Sequence, residues 1–227
     1  MTGAAVTAIV FLSLQVALLA TLVSLPLAVV VAKLLSRPAL PGKAFLSAVV
    51  HLPLVLPPVV TGYFLLLAFG RNGFIGSWLD VLGLGISFSW VGAALAAGVM
   101  AFPLFVRPIR LAFEAQDDRM NEIAETLGAS RWKRFSTIAL PLAWPGIVAG
   151  SVLAFAKALG EFGATITFVS NIPGETQTLS LAIYSLLQTP SGDRAALTLI
   201  GISVAISFGA IFLSEWVTGR LERRRNG

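Results

Sequence analysis

Five stretches of the chain run without a single charged side chain for longer than a water-exposed element tolerates: residues 1–32, 44–70, 81–106, 135–156 and 195–214. A helix needs about twenty apolar residues to cross roughly 30 Å of hydrocarbon, so each stretch is long enough to span a bilayer. In hydrocarbon every backbone polar group must be satisfied within the protein, which leaves helices as the economical solution for runs of this kind. The expected architecture is therefore an all-α polytopic membrane protein forming one transmembrane domain over residues 1–227. The spans are placed at about 6–34, 46–69, 88–111, 141–160 and 194–217. Composition agrees: 56% of residues are hydrophobic and 12% charged, with a mean hydropathy of +0.87, against about a quarter charged in soluble domains. No Lys or Arg precedes the first run, and that run exceeds a signal-peptide core, so it reads as a retained span.

The basic residues are not scattered. Lys33, Arg37 and Lys43 follow the first span; Arg107, Arg110, Arg119, Arg131, Lys133 and Arg134 lie between the third and fourth; Arg220, Arg223, Arg224 and Arg225 close the chain. With five spans these segments share one face, and the opposite face keeps only Arg71 and Arg194, with Lys157 near the end of the fourth span. The positive-inside rule makes the basic face cytoplasmic, with the N-terminus outside and the C-terminus in the cytoplasm. A pI near 10.2 is thus explained by topology, and no nucleic-acid partner is expected. Zero cysteines exclude disulfides, thiolate metal sites and cysteine nucleophiles.

Between the third and fourth spans, residues 114–140 form a charged island in this oily chain. Met120, Ile123, Ala124 and Leu127 recur at helical spacing and give a short helix one apolar stripe, while Asp117, Asp118, Glu122 and Glu125 make much of the remainder acidic. Gly128 interrupts the pattern where the backbone must turn, and Ser130 can cap a second helix carrying Trp132, Phe135 and Ile138 toward Leu140-Pro141. The result is a helix-turn-helix elbow. It could lie on lipid through Arg131, Lys133, Arg134 and Trp132, but anionic lipid would repel its acidic first half; docking to another protein accommodates both halves.

Residues Glu122, Ala124, Gly128, Ile138, Leu140 and Pro141 stand in the spacing E-x-A-x3-G-x9-I-x-L-P. This resembles the cytoplasmic coupling motif, the EAA loop, of permease subunits in bacterial ABC importers; Ile123 departs mildly from the family's small residue there. Residues 52–73 (LPLVLPPVVTGYFLLLAFGRNG) and 160–190 (GEFGATITFVSNIPGETQTLSLAIYSLLQTP) look like the molybdate branch of that family, with sulfate permeases the nearest relatives and tungstate a close chemical analogue. The resemblance implies the type I ABC importer permease fold in a bacterial cytoplasmic (inner) membrane. It implies a homodimer, two ATP-binding cassette ATPase subunits, and a periplasmic molybdate-binding protein that delivers cargo for alternating access. Glu122, Ile123, Ala124, Leu127, Gly128, Ala129, Ile138, Leu140 and Pro141 would then meet the ATPase. ATP and Mg would be bound by that partner, with no cofactor, metal or catalytic residue expected in this chain. The sequence agrees, because Gly42-Lys43 is followed by Ala44 and lacks the glycine spacing of a Walker phosphate loop.

Lys157 and Glu161, spaced i, i+4 near the end of the fourth span, either pair structurally or line a substrate path; the structural pair is favoured, since a path should not grip its cargo. His51 has no ligand-type neighbours at metal spacing and reads as an interfacial or packing residue. Pro53, Pro57, Pro58, Pro103 and Pro108 predict kinks in spans two and three, and Gly92, Ala93, Ala96, Ala97 and Gly98 predict close helix packing. Residues 162–192, too polar for a crossing, are expected on the outer face as a loop with one short amphipathic helix. A standalone secondary transporter would lack the elbow. A membrane enzyme would need a cluster of reactive polar groups, and none is visible.

Overall fold

The computed structural model describes residues 2–225, leaving out the side chains of 118, 213–215 and 217–225. In chain order the helices are α1 (Gly3–Leu35), α2 (Lys43–Val55), α3 (Pro58–Phe69), α4 (Gly76–Val81), α5 (Trp90–Glu114), α6 (Asp118–Thr126) and α7 (Arg131–Arg134). A π-helical turn (Phe135–Ala139) follows, then α8 (Leu140–Leu142), α9 (Trp144–Leu159), α10 (Gly163–Val169), α11 (Leu179–Leu187) and α12 (Asp193–Arg225). No strand occurs among the described residues. Three helices are long and apolar enough to cross a membrane, and five crossings result if each of two bent helix pairs counts as one.

The core is the packing of α5 against α1 and α9. Lipid supplies no hydrophobic drive between helices, so contact depends on backbones coming close, which small residues allow. Gly92, Ala93, Ala96, Ala97 and Gly98 of α5 are all buried, as expected, opposite Ala17, Ala20, Ala28 and Ala32 of α1. On α9, a Cβ at Gly146 would stand 2.4 Å from Ala112 Cβ, and one at Gly150 would stand 2.8 Å from the Phe105 carbonyl oxygen. Phe105 and Ile109, fully buried, fill the space between the helices. The outer surface stays oily: Leu22, Val23 and Leu27 of α1 and Phe208 and Phe212 of α12 are all exposed.

Proline acts differently in the two spans where kinks are predicted. Pro103 and Pro108 lie inside α5, which runs on through both, as α1 does through Pro26. The second span instead breaks, with α2 and α3 meeting at 113°. The cause is the consecutive pair Pro57-Pro58. Each proline pushes the residue before it out of the helical region; Leu56 sits at φ −70°, ψ 142° and Pro57 at φ −53°, ψ 132°. Two successive extended residues are more than a helix can absorb, whereas an isolated proline deletes one hydrogen bond.

Residues 162–192, expected as a loop with one short amphipathic helix, hold a second helix as well. That helix, α10, packs inward on α3 and α5 with Ala164, Thr165, Phe168 and Val169 buried. Gly62 of α3 makes the approach possible, since a Cβ there would lie 2.5 Å from the Ala164 carbonyl oxygen. Several of the polar side chains that argued against burial bond to nearby backbone groups, although Asn171 Oδ1 and Thr178 Oγ1 keep no partner among the described residues. Thr167 Oγ1 donates to the Gly163 carbonyl at 2.9 Å, and buried Thr176 Oγ1 accepts from the Ile172 amide at 2.9 Å. The amphipathic helix expected near 177–189 is α11, which packs on α12 and α1. Its N-terminal Leu179 amide donates to Ser13 Oγ at 2.7 Å, and Ser13 Oγ donates to the Ile9 carbonyl at 2.8 Å. Ser13→Ala leaves that buried amide without an acceptor, which costs about 1–3 kcal/mol. Thermal unfolding of the purified variant should show the loss, and hydrogen exchange should localise it to the start of α11.

Candidate coupling surface

The elbow between α5 and α9 is built from local chemistry. Asp117 caps α6, its carboxylate accepting from the Arg119 amide at 3.0 Å. The helix stops at Leu127 because Gly128 takes φ +79°, a left-handed conformation that glycine adopts without cost. The reversal is closed by the Ala129 amide on the Ala124 carbonyl at 2.9 Å and the Gly128 amide on the Glu125 carbonyl at 2.9 Å. Ser130 then caps α7, accepting from the Lys133 amide at 3.3 Å, as its position after the turn predicts. The second helix of the elbow is shorter than expected. It widens after four residues into the π turn, where the Leu140 amide reaches back to the Phe135 carbonyl. The widening falls just before Pro141, which has no amide hydrogen to continue the ladder. The segment Arg131–Leu142 meets α9 at 65°.

Distant contacts brace this unit. Arg134 grips Glu125 across the turn with two hydrogen bonds of 2.7 and 3.1 Å, a bidentate geometry available to Arg and not to Lys. Gln116 Nε2 donates to the Ala139 carbonyl at 2.8 Å. Aromatic stacking runs from the elbow into the bundle: Trp132 lies 5.7 Å from Phe135, Phe135 lies 6.3 Å from Phe113, and Lys33 Nζ of α1 stands 4.7 Å from the Phe113 ring centre. The elbow is therefore in contact with the ends of α1 and α5. The charge pattern and the glycine are visible in sequence; the Glu125–Arg134 brace is not, because its partners lie on opposite sides of a turn whose closure the sequence does not specify.

The expected docking residues form an outward face with a supporting layer beneath. Ile123 is 61% exposed and Leu127 81%, beside Met120 at 53% and Trp132 at 75%. Glu122, Gly128 and Pro141 are also exposed, whereas Ala124, Ala129, Ile138 and Leu140 are half-buried. An apolar stripe this open, on a helix anchored at both ends, has no partner among the described residues. Lys157 and Glu161 are not part of it. They lie at the other end of α9, a helix about 24 Å long. The pair expected there is formed, with Lys157 Nζ to Glu161 Oε2 at 2.5 Å. Glu161 is 3% exposed, and its second oxygen accepts from the Ala164 amide at 3.0 Å, fastening the start of α10.

Arg134→Lys retains the charge and loses the fork. Because Glu125 is largely exposed, the pair contributes at most about 1 kcal/mol to global stability. The expected result is an unchanged unfolding transition with faster hydrogen exchange confined to α6; equal exchange in both proteins would mean that the brace is idle.

Residues 24–226 match the family described as "Binding-protein-dependent transport system inner membrane component". The chain belongs to this family. The permease is 57% identical to the molybdenum transport system permease protein ModB of Escherichia coli (strain K12) over 96% of its own length and 95% of the relative's. It is 36% identical to the sulfate transport system permease protein CysT of the same strain, covering 77% of this chain and 64% of the relative. In fold it resembles the inward-facing MetNI methionine ABC transporter, with a TM-score of 0.75, 16% identity, and 97% and 99% of the two chains covered. The permease thus has the type I ABC importer fold and is a multi-pass membrane protein.

Proposed function

We propose that this permease is the membrane-spanning subunit of an ATP-driven importer that carries molybdate into the cytoplasm. The observation that carries the reading is the 57% identity to a molybdenum permease across nearly the whole of both chains. Two copies would enclose the path in a bacterial inner membrane, receiving cargo from a periplasmic molybdate-binding protein. Each elbow would seat in a groove of a separate ATPase subunit, which binds ATP and Mg and performs the hydrolysis. The exposed stripe Met120, Ile123 and Leu127, flanked by Glu122, supports this role: it offers apolar area to be buried with a charge to fix register. The clustering of Lys and Arg supports an outside N-terminus and a cytoplasmic elbow. ATPase closure would pull on the elbow, and the contacts through Phe135, Phe113 and Lys33 would pass the movement to α5 and α1 as rigid-body rocking.

Co-purification with the ATPase, followed by uptake of labelled molybdate in competition with tungstate and sulfate, tests the reading. Molybdate and tungstate should compete with each other, and sulfate poorly. The 36% identity to a sulfate permease gives the alternative cargo its support, and uptake of sulfate alone would establish it while leaving the coupling scheme intact.

A further inference from the structure

We propose that a polar cleft between α2 and α5 binds a tetrahedral oxyanion through Arg107, Arg110 and His51. The cleft has a volume of about 320 Å³ and is lined by Ser47 and His51 of α2 and by Arg107, Arg110, Leu111 and Glu114 of α5. Its charges do not balance. Glu114 is the sole acid in the lining, and it is already engaged by Arg110 at 2.8 Å and by Lys43 at 3.8 Å. Arg107 has no hydrogen bond or ion pair among the described residues, so the guanidinium stands ready with five donors. Setting Lys43, Arg107 and Arg110 against Glu114 leaves a local excess of two positive charges.

His51 adds a directional group. Its Nδ1 lies 2.8 Å from the Ser47 carbonyl oxygen, which only accepts, so Nδ1 carries hydrogen; Nε2 donates to an oxyanion when the ring holds its second proton, the form a bound anion favours. Arg107 stands seven residues before the end of α5 and His51 eight residues after the start of α2, so both lie about 10–12 Å along their helices from the same end of the bundle. Ionisable groups at that depth are costly unless they serve water, lipid headgroups or an ion. Two arginines, a histidine edge and a compact cleft suit an anion with several oxygens, because guanidinium forks match oxyanion geometry. Two sources share this chemistry: the imported oxyanion on its way out of the path, and the phosphate of an anionic lipid. The first source rests on the proposed cargo; the cleft's chemistry does not.

The test uses the full-length permease assembled with its ATPase in nanodiscs of phosphatidylcholine, with or without phosphatidylglycerol. Thermal stability is measured against tungstate, with chloride at matched ionic strength as the control. In wild type, tungstate in neutral lipid should raise the midpoint if the cargo oxyanion occupies the cleft; phosphatidylglycerol alone should raise it if lipid phosphate does. Either response should need about tenfold more ligand in Arg107→Gln, with partial recovery in Arg107→Lys. His51→Ala should weaken the same response, and Arg107, being exposed and unpaired, should be replaceable without loss of assembly. No response to either ligand, or responses unchanged in both Arg107→Gln and His51→Ala, overturns the site. Molybdate uptake by wild type is scored separately, so failure of the cleft and failure of the cargo assignment give different results.

Discussion

Replacing Lys157 with methionine is expected to lower the thermal midpoint of the purified permease by several degrees, and adding Glu161→Gln in the same chain should recover most of the loss. Glu161 is 3% exposed, with one oxygen on Lys157 and the other on the Ala164 amide. Removing only the lysine strands a buried carboxylate, a change that typically costs about 3–5 kcal/mol. The Lys157 side chain is 31% exposed, so water reaching the vacated space should hold the effect near the lower figure of about 3 kcal/mol. A neutral glutamine removes the stranded charge and still offers an oxygen to Ala164. Equal destabilisation of the single and double variants would show that the charge pair is not what fastens the start of α10. Uptake separates this structural role from cargo contact: transport by correctly assembled Lys157→Ala should persist, and its abolition would reinstate Lys157 and Glu161 as part of the substrate path.

Gly128→Val should abolish ATP-driven uptake while leaving the helix bundle intact. A side chain here meets nothing within 4 Å, so no clash with the bundle follows. The penalty is conformational: at φ +79° an L-residue is strained by roughly 1–2 kcal/mol, and a β-branched one more. The elbow can relieve that strain only by opening the Ala129–Ala124 and Gly128–Glu125 hydrogen bonds that set the angle between its two arms. The ATPase would then meet Ile123 and Leu127 in the wrong orientation. Association with the ATPase should fall at least about tenfold, the equivalent of 1.4 kcal/mol. The unfolding transition should stay within error of wild type. Gly128→Asn, which tolerates the left-handed region, should remain close to normal. Normal coupling by the valine variant would mean that the elbow's shape is not what the ATPase reads.

The elbow was legible because its determinants are local. Gly128 must turn, Ser130 must cap, and the acidic first arm must face something other than anionic lipid; each follows from a handful of adjacent residues. The exposure of Met120, Ile123 and Leu127 adds that the stripe is uncovered by any of the described residues. The two prolines at 57 and 58 were visible as a disturbance, yet a kink was expected and a 113° break is what forms. Proline spacing states where hydrogen bonds are lost, and the angle depends on what α3 packs against afterwards.

In residues 162–192 the helix α11 follows from spacing, whereas the buried helix α10 does not. Their hydroxyls and amide side chains lower the hydropathy, and hydropathy carries no information about whether such groups bond to one another. Thr167 bonds within its own helix, Thr176 ties a loop, and the amide beginning α11 bonds to Ser13, 166 residues away. Sequence by itself determined the helical membrane class, the family and the helix-turn-helix elbow, because apolar length, charge placement and turn chemistry act over one or two helical turns. The tertiary structure alone decided the burial of α10, the bidentate Arg134–Glu125 brace and the placing of Arg107 and His51 along one cleft. Those arrangements arise only when residues far apart in the chain share the same enclosed space.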